Sequence, residues 1–244
     1  MTPRSTLEPA LQRAGERLLR SADPLRGAIV LLDPRSGRIL AYAALTRSGR
    51  ASELLGQATL PAASLFKLVT TAALFEKSSV SPRDRICISG GVRGIERRHL
   101  EPARGPQAEC GPFAYALGHS KNAVFAQLAT RWLSREDLLT TAERIGFNGR
   151  LSVDDQSSAE LGRLSVPYND LAFARTSAGF EGSTLSPLGA AYLATLIARG
   201  GERIGLRLHD PVPSTEAPSG LAAAPKPAAH ELSPHKQTSD ERAF

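Results

Sequence analysis

Ser64 and Lys67 stand three positions apart at the head of SLFKLVTTAALFEK, a run that is apolar nearly all round through Leu65, Leu68, Val69, Ala72, Ala73 and Phe75. Read as a helix over residues 64–77, that spacing puts the hydroxyl and the amine on one face, a turn apart. So little polar surface predicts a helix buried within a domain. A lysine there loses hydration, which disfavours its charged form. A neutral amine beside a hydroxyl is a general base beside its nucleophile. The free N–H groups of the first helical turn also favour negative charge on whatever Ser64 attacks. The bare S-x-x-K pattern is weak, because average residue usage yields about one match by chance in a chain of this length. Ser233 and Lys236 form a second match, with no apolar run after them and a Pro-rich tail around them.

A second pair of chemical groups is Ser120 and Asn122, in His119-Ser120-Lys121-Asn122 just ahead of the apolar run NAVFAQLATRWL. On a loop, a hydroxyl and an amide two residues apart can relay a proton and grip a peptide group. The same residues also suit a plain helix cap.

Those groups need a scaffold. Residues 9–21 predict a helix with Leu11, Ala14, Leu18 and Leu19 on one stripe and Arg13, Glu16 and Arg17 outside it. GAIVLLD and RILAYAA, split by PRSG, predict a β-hairpin over residues 27–44. RSGRASELLGQ reads as a loop, and the turn-rich residues 81–112 carry no regular assignment. Helices follow at about 122–133 and 135–145, the second opening on a capping box of Ser134 with Asp137 and stopping at Gly146. A last helix over about 187–199 has Ser186 as cap, Pro187 in its first turn and Gly200 at its end. Three segments result: a lead-in with a helix over 1–25, a domain over 26–205, and a Pro/Ala-rich tail over 206–244 expected to order poorly.

Composition excludes several classes. With 41% hydrophobic and 22% charged residues in 244, the chain is globular and long enough for a substantial core. The net charge of +6 comes mostly from arginines spread singly, and the densest cluster, Arg93 to Arg98, has no aromatic residue interleaved. That is a solvated surface and not a nucleic-acid site. No apolar run approaches the ~18 residues of a membrane span, and the first residues lack the apolar stretch of a secretory signal. Cys87 and Cys110, the two cysteines, are too few for structural zinc, and His99 and His119 complete no ligand spacing. They are either two thiols or a disulfide closing the loop between them, the latter in an oxidising compartment.

Together, SLFK at 64–67 and SKN at 120–122 resemble the S-x-x-K and S-x-N motifs of the penicillin-binding proteins and serine β-lactamases. LDPRSGRILAYAA, TLPAASLFKLVTTAALFE, ALGHSKNAVFAQLA and STLSPLGAAYLATLIARGG are similar to that family's opening hairpin, nucleophile region, second-motif region and a later helix, in the family's order. The resemblance covers about residues 5–205 and implies an α+β fold: an antiparallel sheet flanked by helices, plus a mostly helical subdomain. It implies a peptidoglycan D,D-transpeptidase outside the cytoplasm. Ser64 would attack a stem peptide, Lys67 would act as base, Ser120 would pass a proton to the leaving amine, and Asn122 would orient the substrate amide. Peptidoglycan stem peptides are the implied partners, β-lactams the implied covalent inhibitors, and no metal or organic cofactor is required. A β-lactamase of the same fold and a non-catalytic module are the alternatives. The family's third motif, Lys-Thr-Gly, has no match after Ser64; Lys236-Gln237-Thr238 lacks the glycine. The reading is that the chain stops shortly before it. The sheet is then incomplete, the hairpin has an open apolar edge, and losing an oxyanion donor costs ~3–4 kcal/mol of transition-state stabilisation.

Overall fold

The computed structural model describes residues 4–47, 49–50, 52–154 and 157–210, so the tail from residue 211 and the Ser233–Lys236 match lie outside the described residues. The elements run α1 (Pro9–Ala22), β1 (Arg26–Leu32), β2 (Ile39–Thr46), β3 (Gly49–Arg50), β4 (Leu60–Pro61), α2 (Phe66–Lys77), β5 (Arg85–Ile88), β6 (Glu109–Pro112) and α3 (Phe113–Gly118). They continue with α4 (Asn122–Trp132), α5 (Arg135–Ile145), β7 (Arg150–Val153), β8 (Ser157–Glu160), β9 (Gly162–Leu164), α6 (Asp170–Ser177), β10 (Ser183–Leu185) and α7 (Pro187–Ala198). This is the expected α+β class, with antiparallel pairing in every sheet.

The hairpin forms because two β-rich runs flank a turn that Asp33 and Gly37 close. Gly37 adopts φ +72°, and a Cβ there would lie 2.1 Å from the Gly205 carbonyl oxygen. Pairing runs from Arg26↔Thr46 to Leu32↔Ile39, with an irregularity at Leu31 and Leu32. The outer edge of β2 is well covered. The Thr6 hydroxyl and the Glu8 N–H donate to the carbonyls of Ile39 and Leu40, the Ile39 N–H donates to the Arg207 carbonyl, and β3 pairs with Leu45 and Thr46. Midway, the Gln12 amide stands in for a strand: its oxygen accepts from the Tyr42 N–H at 2.8 Å and its nitrogen donates to the Tyr42 carbonyl. The outer edge of β1 has no strand partner among the described residues.

Gln12 also explains a difference from the expected helix face. In α1 the buried residues are Gly15 and Leu19, while Leu11 and Leu18 are exposed. The bonds to Tyr42 turn the Gln12 face toward the sheet, and Gly15 lets the helix lie close against Ile29 and Ala43. Residues 206–210, the start of the stretch read as tail, are bonded: Arg207 to the hairpin, Leu208 to Thr6, and both Leu208 and His209 to the Asp154 carboxylate.

The helical body is built around α2, whose Phe66, Val69, Ala73 and Leu74 are fully buried against α4, α5 and α6. Phe66 meets Phe147 edge to face at 5.6 Å. The caps read from sequence are present: the Ser134 and Asp137 box opens α5, and the Ser186 hydroxyl accepts from the Gly189 N–H at the head of α7. Residues 81–112, left without assignment, contain the β5–β6 hairpin, and the loop at 47–57 contains β3 and a 3-10 turn. Four-residue strands among glycines and prolines show no alternation to read; a partner 23 residues away creates them. That partner is covalent, since Cys87 and Cys110 sit directly opposite each other and are joined as a disulfide.

Candidate active site

Ser64 lies in a 3-10 turn, Ala63–Leu65, that leads into α2, so the regular helix opens at Phe66 and not at the serine itself. One turn on, Lys67 is 1% exposed, while Ser64 faces solvent. Ser120 closes the turn between α3 and α4, and Asn122 is the first residue of α4. Residues more than fifty positions apart in sequence thus meet at one amine. Lys67 Nζ lies 2.8 Å from Ser64 Oγ, 2.8 Å from Ser120 Oγ and 2.6 Å from Asn122 Oδ1. The Ser120 hydroxyl also donates to Ser64 Oγ at 2.7 Å. All four residues singled out from sequence share one site.

The Asn122 amide has only one orientation that satisfies its neighbours. Its nitrogen donates to the carbonyls of Gly91 and Val92, at 3.2 and 2.8 Å, so its oxygen must face Lys67. Both ends of the side chain are therefore engaged within the protein.

The three groups around Nζ are neutral acceptors, and no carboxylate among the described residues bonds it. Burial consequently dominates, and the Lys67 amine is pushed down from 10.5 to about 8. The charged amine donates to all three oxygens. When neutral it keeps two donors and one lone pair. Asn122 Oδ1 can only accept, so the lone pair turns to a hydroxyl, which is the arrangement that lets Nζ take the Ser64 proton.

Two backbone irregularities border this cluster of side chains. Ala63, immediately before Ser64, has φ 49°, and Ser120 has φ 53°. Each costs about 1–2 kcal/mol for a residue with a Cβ and persists only where surroundings hold it. Gly179 is one such constraint, since a Cβ on it would come within 2.1 Å of the Ala63 carbonyl oxygen. Sequence reading missed Gly179, the Gly91 and Val92 carbonyls, and Lys121 with its partner Glu109. Nothing in their local spacing marks them. Among the described residues no group of three or more His, Cys, Asp or Glu could hold a metal ion.

On this scaffold, then, a buried lysine lies between two serines and an asparagine. The profile of the penicillin binding protein transpeptidase domain matches residues 27–241, and the chain belongs to that family. Peptidoglycan D,D-transpeptidase PbpA of Mycobacterium tuberculosis is 28% identical over 234 residues, an alignment covering 81% of this chain and 46% of that protein. The chain thus spans about half the length of the curated relatives it matches. The crystal structure of PBPA from M. tuberculosis superposes with a TM-score of 0.67 at 22% identity, covering 85% of this chain and 58% of that one. Penicillin-binding protein 2B of Streptococcus pneumoniae gives 0.66 at 18%, covering 85% and 40%. A ceftriaxone acyl-enzyme complex of the M. tuberculosis protein gives 0.65 at 23%, covering 82% and 51%. At these identities the structural likeness carries the fold.

Proposed function

We propose that this chain carries the nucleophilic centre of a peptidoglycan D,D-transpeptidase, acting outside the cytoplasm. Ser64 Oγ attacks the penultimate D-Ala carbonyl of a stem peptide while its proton passes to Lys67 Nζ. As the C–N bond to the terminal D-Ala breaks, Ser120 gives its proton to the departing amine and is resupplied by Lys67. An amine from a neighbouring stem then attacks the Ser64 ester, completes the cross-link and frees the serine. β-Lactams enter the same step and leave Ser64 acylated. Asn122 holds the lysine and, with its amide freed from the Gly91 and Val92 carbonyls, orients the substrate amide.

The observation that carries this reading is Lys67 Nζ within 2.8 Å of Ser64 Oγ and Ser120 Oγ at once, buried with no anion among the described residues bonded to it. The Cys87–Cys110 bridge fits an oxidising compartment. Fluorescent penicillin, followed by gel and intact mass, tests it. The expected result is a lasting adduct on wild type that Ser64→Ala abolishes. Steady turnover of the drug would favour a β-lactamase of the same fold. No Ser64-dependent label would leave a non-catalytic module.

A further inference from the structure

We propose that the Glu109–Lys121 ion pair is a staple that positions Ser120, an inference that rests on the reading of Ser64, Lys67 and Ser120 as the reacting groups. Ser120 holds a left-handed backbone with φ 53°, so something must hold it there. From the N-terminal side it is held by the end of α3. The N–H groups of His119, Ser120 and Lys121 donate to the carbonyls of Tyr115, Leu117 and Ala116. On the C-terminal side its two neighbours part in different directions. Asn122 reaches the Gly91 and Val92 carbonyls, and Lys121 Nζ reaches Glu109 Oε1 at 2.6 Å.

Glu109 is well placed to act as an anchor. It is the first residue of β6, paired with Ile88 and adjacent to Cys110, which is bridged to Cys87. β6 runs directly into α3, and α3 into the Ser120 turn. The ion pair therefore closes a ring of chain whose base is the disulfide-linked hairpin and whose far end is the Ser120 hydroxyl. The bond to Glu109 also raises the Lys121 amine above its ordinary value, so the ammonium end of the pair stays charged through neutral pH. Partly exposed pairs of this kind contribute little to global stability. Its effect is on where Ser120 points, and that is read in rate.

Glu109→Gln and Lys121→Gln are each expected to slow acylation of Ser64 by benzylpenicillin about five- to tenfold in the limiting rate constant. The drug concentration for half-maximal rate and the melting temperature should stay near wild type. Lys121→Arg, which keeps the pair, and the double exchange Glu109→Lys with Lys121→Glu should both recover most of the loss. Limiting rates within twofold of wild type in both Gln variants overturn the proposal. So does a loss that neither rescue variant restores. If wild type takes no Ser64-dependent label, the function reading has failed, and the staple is judged by NMR titration of the Lys67 amine. Displacing Ser120 removes an acceptor of the ammonium, so a lower midpoint in Lys121→Gln, where loss of a nearby cation alone would raise it, supports the staple, and an unchanged or higher one overturns it.

Discussion

In the proposed reaction Lys67 is the residue on which the chemistry turns, and its protons can be counted. The ammonium needs three acceptors and has three, but all are uncharged oxygens in a buried setting, so proton loss comes easily. General-base attack needs the neutral form. Below about pH 8 that fraction falls with each unit of acidity, and above it the fraction saturates. The limiting acylation rate is therefore expected to rise roughly tenfold per pH unit on the acid side and to level off above about pH 8. Stopped-flow acylation from pH 5.5 to 9.5 measures this; a flat profile, or one falling with pH, would remove Lys67 as base. Much of this was legible in sequence, because the three-residue spacing and the apolar neighbours of Lys67 are local facts. Its meeting with Ser120 was not, since 53 residues of chain separate them and only the resemblance to a known family joined them.

Among the elements, those with internal periodicity, apolar runs or capping chemistry were the legible ones: α1, α2, α4, α5, α7 and the β1–β2 hairpin. The β5–β6 hairpin, the β7–β8 pair and the small β4–β10–β9 sheet were not. Their strands have two to four residues, and distant partners define them. β5 and β6 depend most visibly on a constraint beyond hydrogen bonding. Closing the loop between Cys87 and Cys110 removes unfolded-state freedom worth about 3 kcal/mol for a separation of 23 residues. Cys87→Ser with Cys110→Ser is expected to lower unfolding stability by about that amount in urea titration. A change under about 1 kcal/mol would mean that packing alone holds the hairpin.

On the scale of the described unit, residues 4–210, the hairpin sheet has one covered side and one bare one. β2 is covered by Thr6, Glu8, Gln12, Arg207 and β3, whereas β1 presents its backbone without a strand partner among the described residues. Unpaired edges of this kind template pairing with another chain. Sedimentation velocity is expected to show concentration-dependent self-association, weakened at least tenfold by Leu31→Lys, which places a charge on a residue already 42% exposed. A wild-type chain that stays monomeric at all concentrations would contradict this. Among the described residues no helix is long and apolar enough to cross a membrane.

The Gln12 clip on Tyr42 has a consequence that can be stated as valence. A sheet with a single sticky side can find one mate and is then satisfied. Were the chain to begin at residue 26, Thr6, Glu8 and Gln12 would be lost together, and Ile39, Leu40 and Tyr42 would lose backbone partners on the opposite side. Such a piece would keep Arg207 and β3 at the two ends of β2 but bare its middle, adding a second sticky stretch, and units with two such stretches grow into ribbons. Among the described residues, the first helix thus keeps the middle of β2 from becoming a second exposed edge.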